Sequence, residues 1–545
     1  MKYFILTALS WACFSWANVN PLLTMTTEPS VEQLQSWIDE GHNIDEKNKE
    51  GLTPLIIAAK NKWHQTVLIL LDNKADVSAV DKDGNTALHH TAYNNDLKTA
   101  RIILSHQETA HQGEHTLREK LIESITKRFE PDYVKVNAYN KEHKTALMIA
   151  VQKGFLDYVK MLMPYKPNIE AHDSDKQTSL FYAVKNENLL MVQHLIRENA
   201  NVRAKDKKNN MAIHFAVQLK SYSIVEALAM DGKSPLDEAS AEFPPLLHMA
   251  VMELDTKMIQ ILLRAGANVD NIHTGEHYKV PPLALLFVLP DTIEDKMLEV
   301  AQLFIDRHAS VNTTAHSPVE KNTFLHIAVD KNYERLADLL LSAGAKLDEF
   351  NSKGLSPVTL AIVQNKPRMV KKFMKAGADP NHKPSDIFYF YHLHLAAYYG
   401  FVDIVDILLE AKASLTLKDA NDNTALHKAL DTLMLSSQVK TDDDVAQIVE
   451  KILNKGSDPN TQDNEGLTPA MKAVRANNFK ALEALKNKGA DFTITDKRGR
   501  TVYDHLEHIK NIHSDWDVSK LEKVLPGSKT ESGSSSCEKE LSGPA

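Results

Sequence analysis

Residues 111–115 read HQGEH. Two histidines and a glutamate in the order H-x-x-E-H are the donor set of one zinc-protease pattern. The imidazoles hold the metal and the carboxylate takes a proton from its bound water. That chemistry needs both histidines one turn apart on a helix. Gly113 inside the motif weakens a helix there. Thr116-Leu-Arg-Glu119 is a capping box, the mark of a helix start, followed by Leu117, Leu121, Ile122, Ile125 and Phe129 at helical spacing. The helix is therefore expected to begin at Thr116, to close by Pro131, and to leave HQGEH in the loop before it. A metal-dependent hydrolase, or a loop that takes up metal adventitiously, are the alternatives.

Other chemistry is thin. The two cysteines, Cys13 and Cys537, lie near opposite ends and supply neither a disulfide framework nor a thiolate zinc site. Cys537 sits in a Ser/Gly-rich stretch without a positioned base. No phosphate-binding glycine loop and no nucleophile elbow occurs. Lys440-Thr-Asp-Asp-Asp444 is expected to be a solvated loop, with a cation site as the alternative. No catalytic residue, metal or cofactor is assigned.

The elements that position these residues emerge from a repeat. Thr53-Pro-Leu-Ile-Ile-Ala58 recurs in variant form at Thr86, Thr145, Thr178, Met211, Pro245, Pro281, Thr323, Ser356, Tyr391, Thr424, Thr468 and Thr501. Six of the intervals are 33 residues; the longest, from Thr86 to Thr145, is 59 and contains HQGEH. About twenty residues after most starts comes a second apolar block, such as Leu68-Ile-Leu-Leu71 or Ile407-Leu-Leu409, then a turn such as Ala265-Gly-Ala-Asn-Val269. A Thr before an apolar run caps a helix, and Pro is tolerated at its first position. Gly154 and Gly400 fall where a first helix stops.

This pattern resembles the ankyrin repeat family over roughly residues 30–510. The resemblance implies an all-α solenoid of about thirteen stacked helix-turn-helix units with hairpin loops, each stable only against its neighbours. On this reading residues 29–510 are the solenoid, with a cap at 29–48 and a helical insertion at about 105–135. His89, His214, His248, His326, His394 and His427 hold the fourth position of the repeat motif, where the family's histidine is structural and hydrogen-bonds neighbouring backbone. His90 and His392 beside the motif are expected to reflect local packing or exposure.

The resemblance also implies binding of a protein partner on the concave side, formed by first helices and hairpin tips. The aromatic candidates there are Phe388, Tyr389 and Phe390 in a lengthened hairpin, Tyr398 and Tyr399, and Trp63 and Tyr93, all late in first helices. The hairpin aromatics have a second reading, in which they fold onto the neighbouring repeat. The charge of −9 gives no overall basic character for nucleic acid, and no later stretch is apolar enough to span a membrane.

Lys2, an apolar Tyr3–Phe14 and Ser15-Trp-Ala17 read as a signal peptide at 1–17, hence an exported, periplasmic or secreted chain. The composition of 525–545 reads as a disordered tail. It also resembles the polar export signals of bacterial effectors, which makes delivery into a host cell the alternative. The loop placement of HQGEH makes a direct prediction. Elemental analysis of the purified chain finds no stoichiometric zinc, and replacing His111 and His115 by alanine leaves the metal content unchanged.

Overall fold

A computed structural model describes residues 20–110, 136–272, 280–288, 294–313, 321–383, 390–431, 441–513 and 516–525, without side chains at 107–110, 287–288 and 294. HQGEH, the Thr116 helix, the segment 1–17, Phe388, Tyr389, the tail beyond 525 and both cysteines lie outside the described residues. The chain divides into two compact units, Met1–Pro282 and Leu283–Ala545.

Each unit is built from helix pairs in the register of the repeat. In the first unit the first helices include Pro54–Lys60, Ala87–Asn94, Ala146–Gln152, Ser179–Lys185, Ala212–Gln218 and Leu246–Met252; His64–Asp72, Leu156–Leu162 and Leu189–Arg197 are among the second helices. In the second unit Phe324–Asp330, Pro357–Val363, His392–Tyr399, Ala425–Ala429, Pro469–Arg475 and Val502–Ile512 are paired with Glu334–Ser342, Pro367–Lys375, Val402–Glu410, Asp442–Asn454, Phe479–Asn487 and Ser519–Val524. The described residues form no β-strand, only isolated bridges at His172–Thr178 and Lys205–Met211. A 3-10 helix, Pro21–Leu23, and an α-helix, Val31–Asp39, precede the first pair and bury Leu22 and Leu34.

The first helices are short because their ends are fixed by the sequence. Thr53, Thr145, Ser356 and Thr468 each accept the backbone N–H three residues on, at 3.2–3.4 Å, which satisfies a donor the helix itself leaves free. Gly400 ends one helix in the left-handed region. Between cap and stop the side chains are nearly all buried: Ala146 to Val151 are each no more than 1% exposed. Truncating one such leucine costs about 2–5 kcal/mol.

Neighbouring repeats are joined by backbone as well as by packing. Lys82 N–H donates to Glu50 O, Lys141 N–H to Asp83 O, and Lys497 N–H to Glu465 O, at 2.8–3.2 Å. One turn away, Asp45, Asn137, Glu170 and Asp237 accept the N–H of Asp76, Asn168, Asn201 and Asn268 at 2.6–2.9 Å. Asn381 and Asn460 do the same for Ser414 and Asp491, both at 2.7 Å.

Three departures from the expected regularity are local. The segment after Pro281 is a 3-10 helix, Pro282–Val288, whereas Pro245 in the preceding repeat leads into a regular α-helix. The run Thr441–Asp444, expected as a loop, is a helix start. Thr441 Oγ1 accepts Asp444 N–H at 3.1 Å, and the Asp444 carboxylate accepts the Thr441 N–H at 2.9 Å. Three acidic residues in that first turn also complement the helix dipole. Third, the long interval after Thr86 leaves the repeats on either side in direct contact. Tyr158, fully buried, shares a 2.6 Å hydrogen bond with the Thr91 hydroxyl, and Asn140 Nδ2 donates to Asn85 Oδ1 at 3.0 Å.

The hairpin contacts predict unequal glycines. A Cβ at Gly466 (φ +78) would sit 2.7 Å from Lys497 N, whereas at Gly489 (φ +85) it meets nothing within 4 Å. In urea unfolding followed by circular dichroism, Gly489→Ala is expected to cost about 1 kcal/mol from backbone strain alone, and Gly466→Ala about 2–3 kcal/mol.

Candidate partner-binding surface

The six motif histidines are built into the stack. In His89, His326 and His427 the Nδ1 atom accepts the N–H of the capping threonine at 3.1–3.3 Å. The threonine hydroxyl lies 2.8–2.9 Å from the same nitrogen. An Nδ1 that accepts a backbone N–H carries no proton, so Nε2 is the donor. It reaches the next hairpin: Lys144 O, Leu355 O and Leu467 O at 2.8–3.1 Å. His214, His248 and His394 donate likewise to Glu238 O, Val280 O and Asn423 O at 2.9–3.2 Å. All six are at most 1% exposed. Burial pushes His89 and His427 down to about 4 and lowers His214, His326 and His394. His392, buried beside Thr359, is also pushed down to about 4 by burial and then by His382. Among the described residues no group of three or more His, Cys, Asp or Glu is placed to hold a metal.

A second register position sets the polar part of the accessible face. The residue after the motif's fourth position reaches back to the aspartate of its own hairpin. His90 meets Asp81 at 2.8 Å, Tyr182 donates to Asp173 at 2.6 Å, and His505 meets Asp496 at 3.1 Å. Those aspartates also accept backbone N–H groups two and four residues on, as Asp81 does from Asp83 and Asn85. Burial alone would raise Asp496, but the N–H and guanidinium of Arg500 outweigh it and hold the carboxyl at about 2.

In two repeats of the second unit this position holds a lysine. Lys428 Nζ lies 3.1 Å from Asp419 and 3.0 Å from Asp431. Lys472 Nζ lies 3.0 Å from the other oxygen of Asp431 and 3.3 Å from Asp463. Three carboxylates thus alternate with two ammonium groups. Burial would lower the Lys428 ammonium, yet Asp431 and Asp419 keep it above the ordinary lysine value. Lys428 and Asp419 are almost dry, so removing one strands the other at a cost of about 3–5 kcal/mol.

On that ladder rests the densest group of candidate residues. Phe390 stacks on Tyr398 at 6.0 Å, Tyr398 meets Tyr399 edge-on at 5.4 Å, and Tyr399 stacks on Phe401 at 5.5 Å. Lys428 Nζ stands 4.4 Å from the centre of Phe390, a cation–π distance. Phe390, Tyr398 and Tyr399 are half-buried and Phe401 is buried. Phe390 therefore does fold back onto its own and the following repeat. Trp63 and Tyr93 are in the other unit. Trp63, expected late in a first helix, instead stands at the N-cap of the second helix His64–Asp72 and packs partly buried against the N-terminal core, and half-buried Tyr93 lies 6.4 Å from His90.

The first unit contains an aromatic row that the repeat scan passes over. Phe181, Phe215 and Phe243 meet edge to face at 6.0 and 5.6 Å. His214 stacks on Phe243 at 5.8 Å, and Lys185 Nζ stands 4.5 Å from the Phe215 centroid. Phe215 and Tyr182 both occupy the position after the motif's fourth, so the register itself would have marked them as half-exposed. Phe243 has no register signal.

Comparisons with known proteins bear on all of this. The family model described as "Ankyrin repeats (3 copies)" matches residues 25–114, 109–206, 180–273, 291–384 and 433–506, and the "Ankyrin repeat" model matches 393–420. The chain is similar to the E3 ubiquitin-protein ligase KEG of Arabidopsis thaliana, 22% identical over 56% of this chain and 20% of the relative. It is 22% identical to an ankyrin repeat and KH domain-containing protein of Caenorhabditis briggsae, over 86% of this chain and 15% of the relative. A B-cell lymphoma 3 protein homolog of Mus musculus is 34% identical, over 18% and 20% respectively. The chain thus spans a quarter or less of the length of these curated relatives. Among solved structures, the ankyrin repeat domain of Bcl-3 aligns with 43% of this chain and 91% of its own, at 24% identity and a TM-score of 0.36.

The buried imidazoles make stability fall with acid. Their folded values lie below the ordinary 6.5, so between pH 6.5 and 4 the unfolded chain binds protons that the fold refuses. Each of His89, His392 and His427 contributes stability that is complete above pH 6.5 and lost by pH 4, at most about 3 kcal/mol apiece. Urea midpoints are expected to drop steadily from pH 7 to 4.5, and His427→Gln to be weaker at pH 7 but with a shallower slope.

Proposed function

The chain belongs to the ankyrin repeat family, and from that premise we propose that it is a non-enzymatic scaffold. It captures a protein partner along the first helices and hairpin tips of its repeats. One observation carries this reading. The six motif histidines are committed to stacking, while half-buried aromatic rings remain along the first helices. Buried histidines with Nε2 donating to a neighbouring carbonyl are poor general acids, since the donor proton is already engaged. Rigid aromatics with a polar surround are the residues that dominate interface energies.

The partner face that we favour is the Phe390–Tyr398–Tyr399 group. Its rings are held against each other and against Lys428, so little side-chain entropy is lost on binding. The ring pair Phe215–Phe243, with Tyr182 at the same register position one repeat before Phe215, supplies a second patch in the other unit.

We further propose that the mature protein is exported, on the strength of the Lys2 and Tyr3–Ala17 pattern. Delivery into a host cell, where it would sequester or scaffold a host protein, is the competing proposal. N-terminal sequencing of secreted protein is expected to begin at Asn18.

Capture of partners by the mature chain, identified by mass spectrometry, tests the binding face. Against a partner so found, Tyr398→Ala and Tyr399→Ala are each expected to weaken binding about tenfold or more, with an unchanged circular dichroism spectrum. Unchanged affinity in both variants would exclude this face.

A further inference from the structure

The interval from Met211 to Pro245 is 34 residues, one more than the usual 33. The extra residue can be located. The second helix of this repeat runs as an α-helix over Tyr222–Glu226 and continues as a π-helix over Ala227–Asp231. In several other repeats the turn closes with an alanine N–H on the carbonyl five residues back: Ala200 to Leu195, Ala267 to Leu262, Ala378 to Phe373. Here Ser234 N–H reaches six residues back, to Leu228 O at 3.0 Å. The π-turn absorbs the inserted residue.

The shift changes which residue fills each slot. The left-handed position held by Gly266 and Gly377 in other repeats falls on Lys233, at φ +54. Gly232 becomes the right-handed C-cap of the helix, where a Cβ would lie 2.8 Å from Val202 Cγ1 and 2.9 Å from Leu228 O. Ser234 takes the slot that alanine holds in those repeats. It is 5% exposed, and its Oγ is buried with no hydrogen-bond partner among the described residues. An unpaired buried hydroxyl is costly and calls for an explanation.

Beside the bulge lies an open cavity of about 410 Å³, whose lining includes Met230, Lys233, Ser234, Asp237, Arg264 and Gly266. That volume falls within the range of small-molecule sites, and π-bulges recur at functional positions. We propose that this cavity is a binding site for a small ligand bearing a phosphate or carboxylate group. The chemistry of its lining supports an oxyanion. Lys233 is exposed and enters no ion pair among the described residues. Arg264 gives one nitrogen to Glu226 at 2.9 Å, and the fork keeps further N–H donors. Asp237, the acidic member, is engaged: Oδ1 accepts Asn268 N–H at 2.9 Å and its carbonyl accepts Asn271 Nδ2 at 3.0 Å. The Ser234 hydroxyl is buried as it stands, and a rotation about χ1 toward the cavity would give it the partner it lacks. The site is separate from the aromatic patches and independent of the partner proposal.

Titration calorimetry on the full chain, with inorganic phosphate and with acetate at constant ionic strength, tests this. Saturable binding of at least one probe is expected, and the tighter probe identifies the group. Lys233→Gly suits the left-handed backbone while removing the ammonium, and Ser234→Ala restores the residue found in other repeats. Each is expected to weaken binding at least fivefold without lowering the melting temperature in chloride buffer. No saturable binding of either probe, or equal binding by wild type and both variants, overturns the proposal.

Discussion

A neutral imidazole with both nitrogens engaged is the interaction on which each stack depends. In His89, His326 and His427, Nδ1 receives the N–H that a helix start leaves free, and Nε2 donates to the carbonyl of the next hairpin. One side chain thereby caps its own helix and locates the following repeat. Helices of five to nine residues have little stability alone, so their order is borrowed from such contacts. The same geometry keeps these histidines unprotonated and removes them from acid–base work.

Much of this was readable in the sequence, because the spacing of Thr, Leu, His and Ala encodes cap, core and bridge together. The register starts coincide with the capping residues of observed first helices at Thr53, Thr145, Ser356, Thr424 and Thr468. What escaped obeys rules of shorter range. Thr441-x-x-Asp444 is itself a capping pattern, but a run of acids beside Lys440 reads more readily as solvated loop. The interval of 34 announced an extra residue without saying where a helix would absorb it, since a π-turn has no sequence signature of its own.

The accessible face was only partly readable. Clustered aromatics at Tyr398 and Tyr399 stand out by composition. The underlying ladder of Asp419, Lys428, Asp431, Lys472 and Asp463 joins residues up to 41 positions apart, and only the register brings them together. The ladder matters for the rings, because a lysine held by two carboxylates is a fixed support for Phe390 rather than a mobile surface chain. Polar order beneath and aromatic surface above are thus parts of one construction.

The contact between repeats across the long interval after Thr86 has a wider consequence. His89 still reaches Lys144 O, and Asn85 still meets Asn140, although the intervening chain is far longer than in other repeats. Adjacent units recognise one another through side chains at set positions, so the length of the connecting thread is a free variable. New sequence can be spliced into such a junction without re-engineering the framework, and this is how a monotonous architecture acquires individuality: variation accumulates in the excursions while the scaffold's arithmetic stays the same.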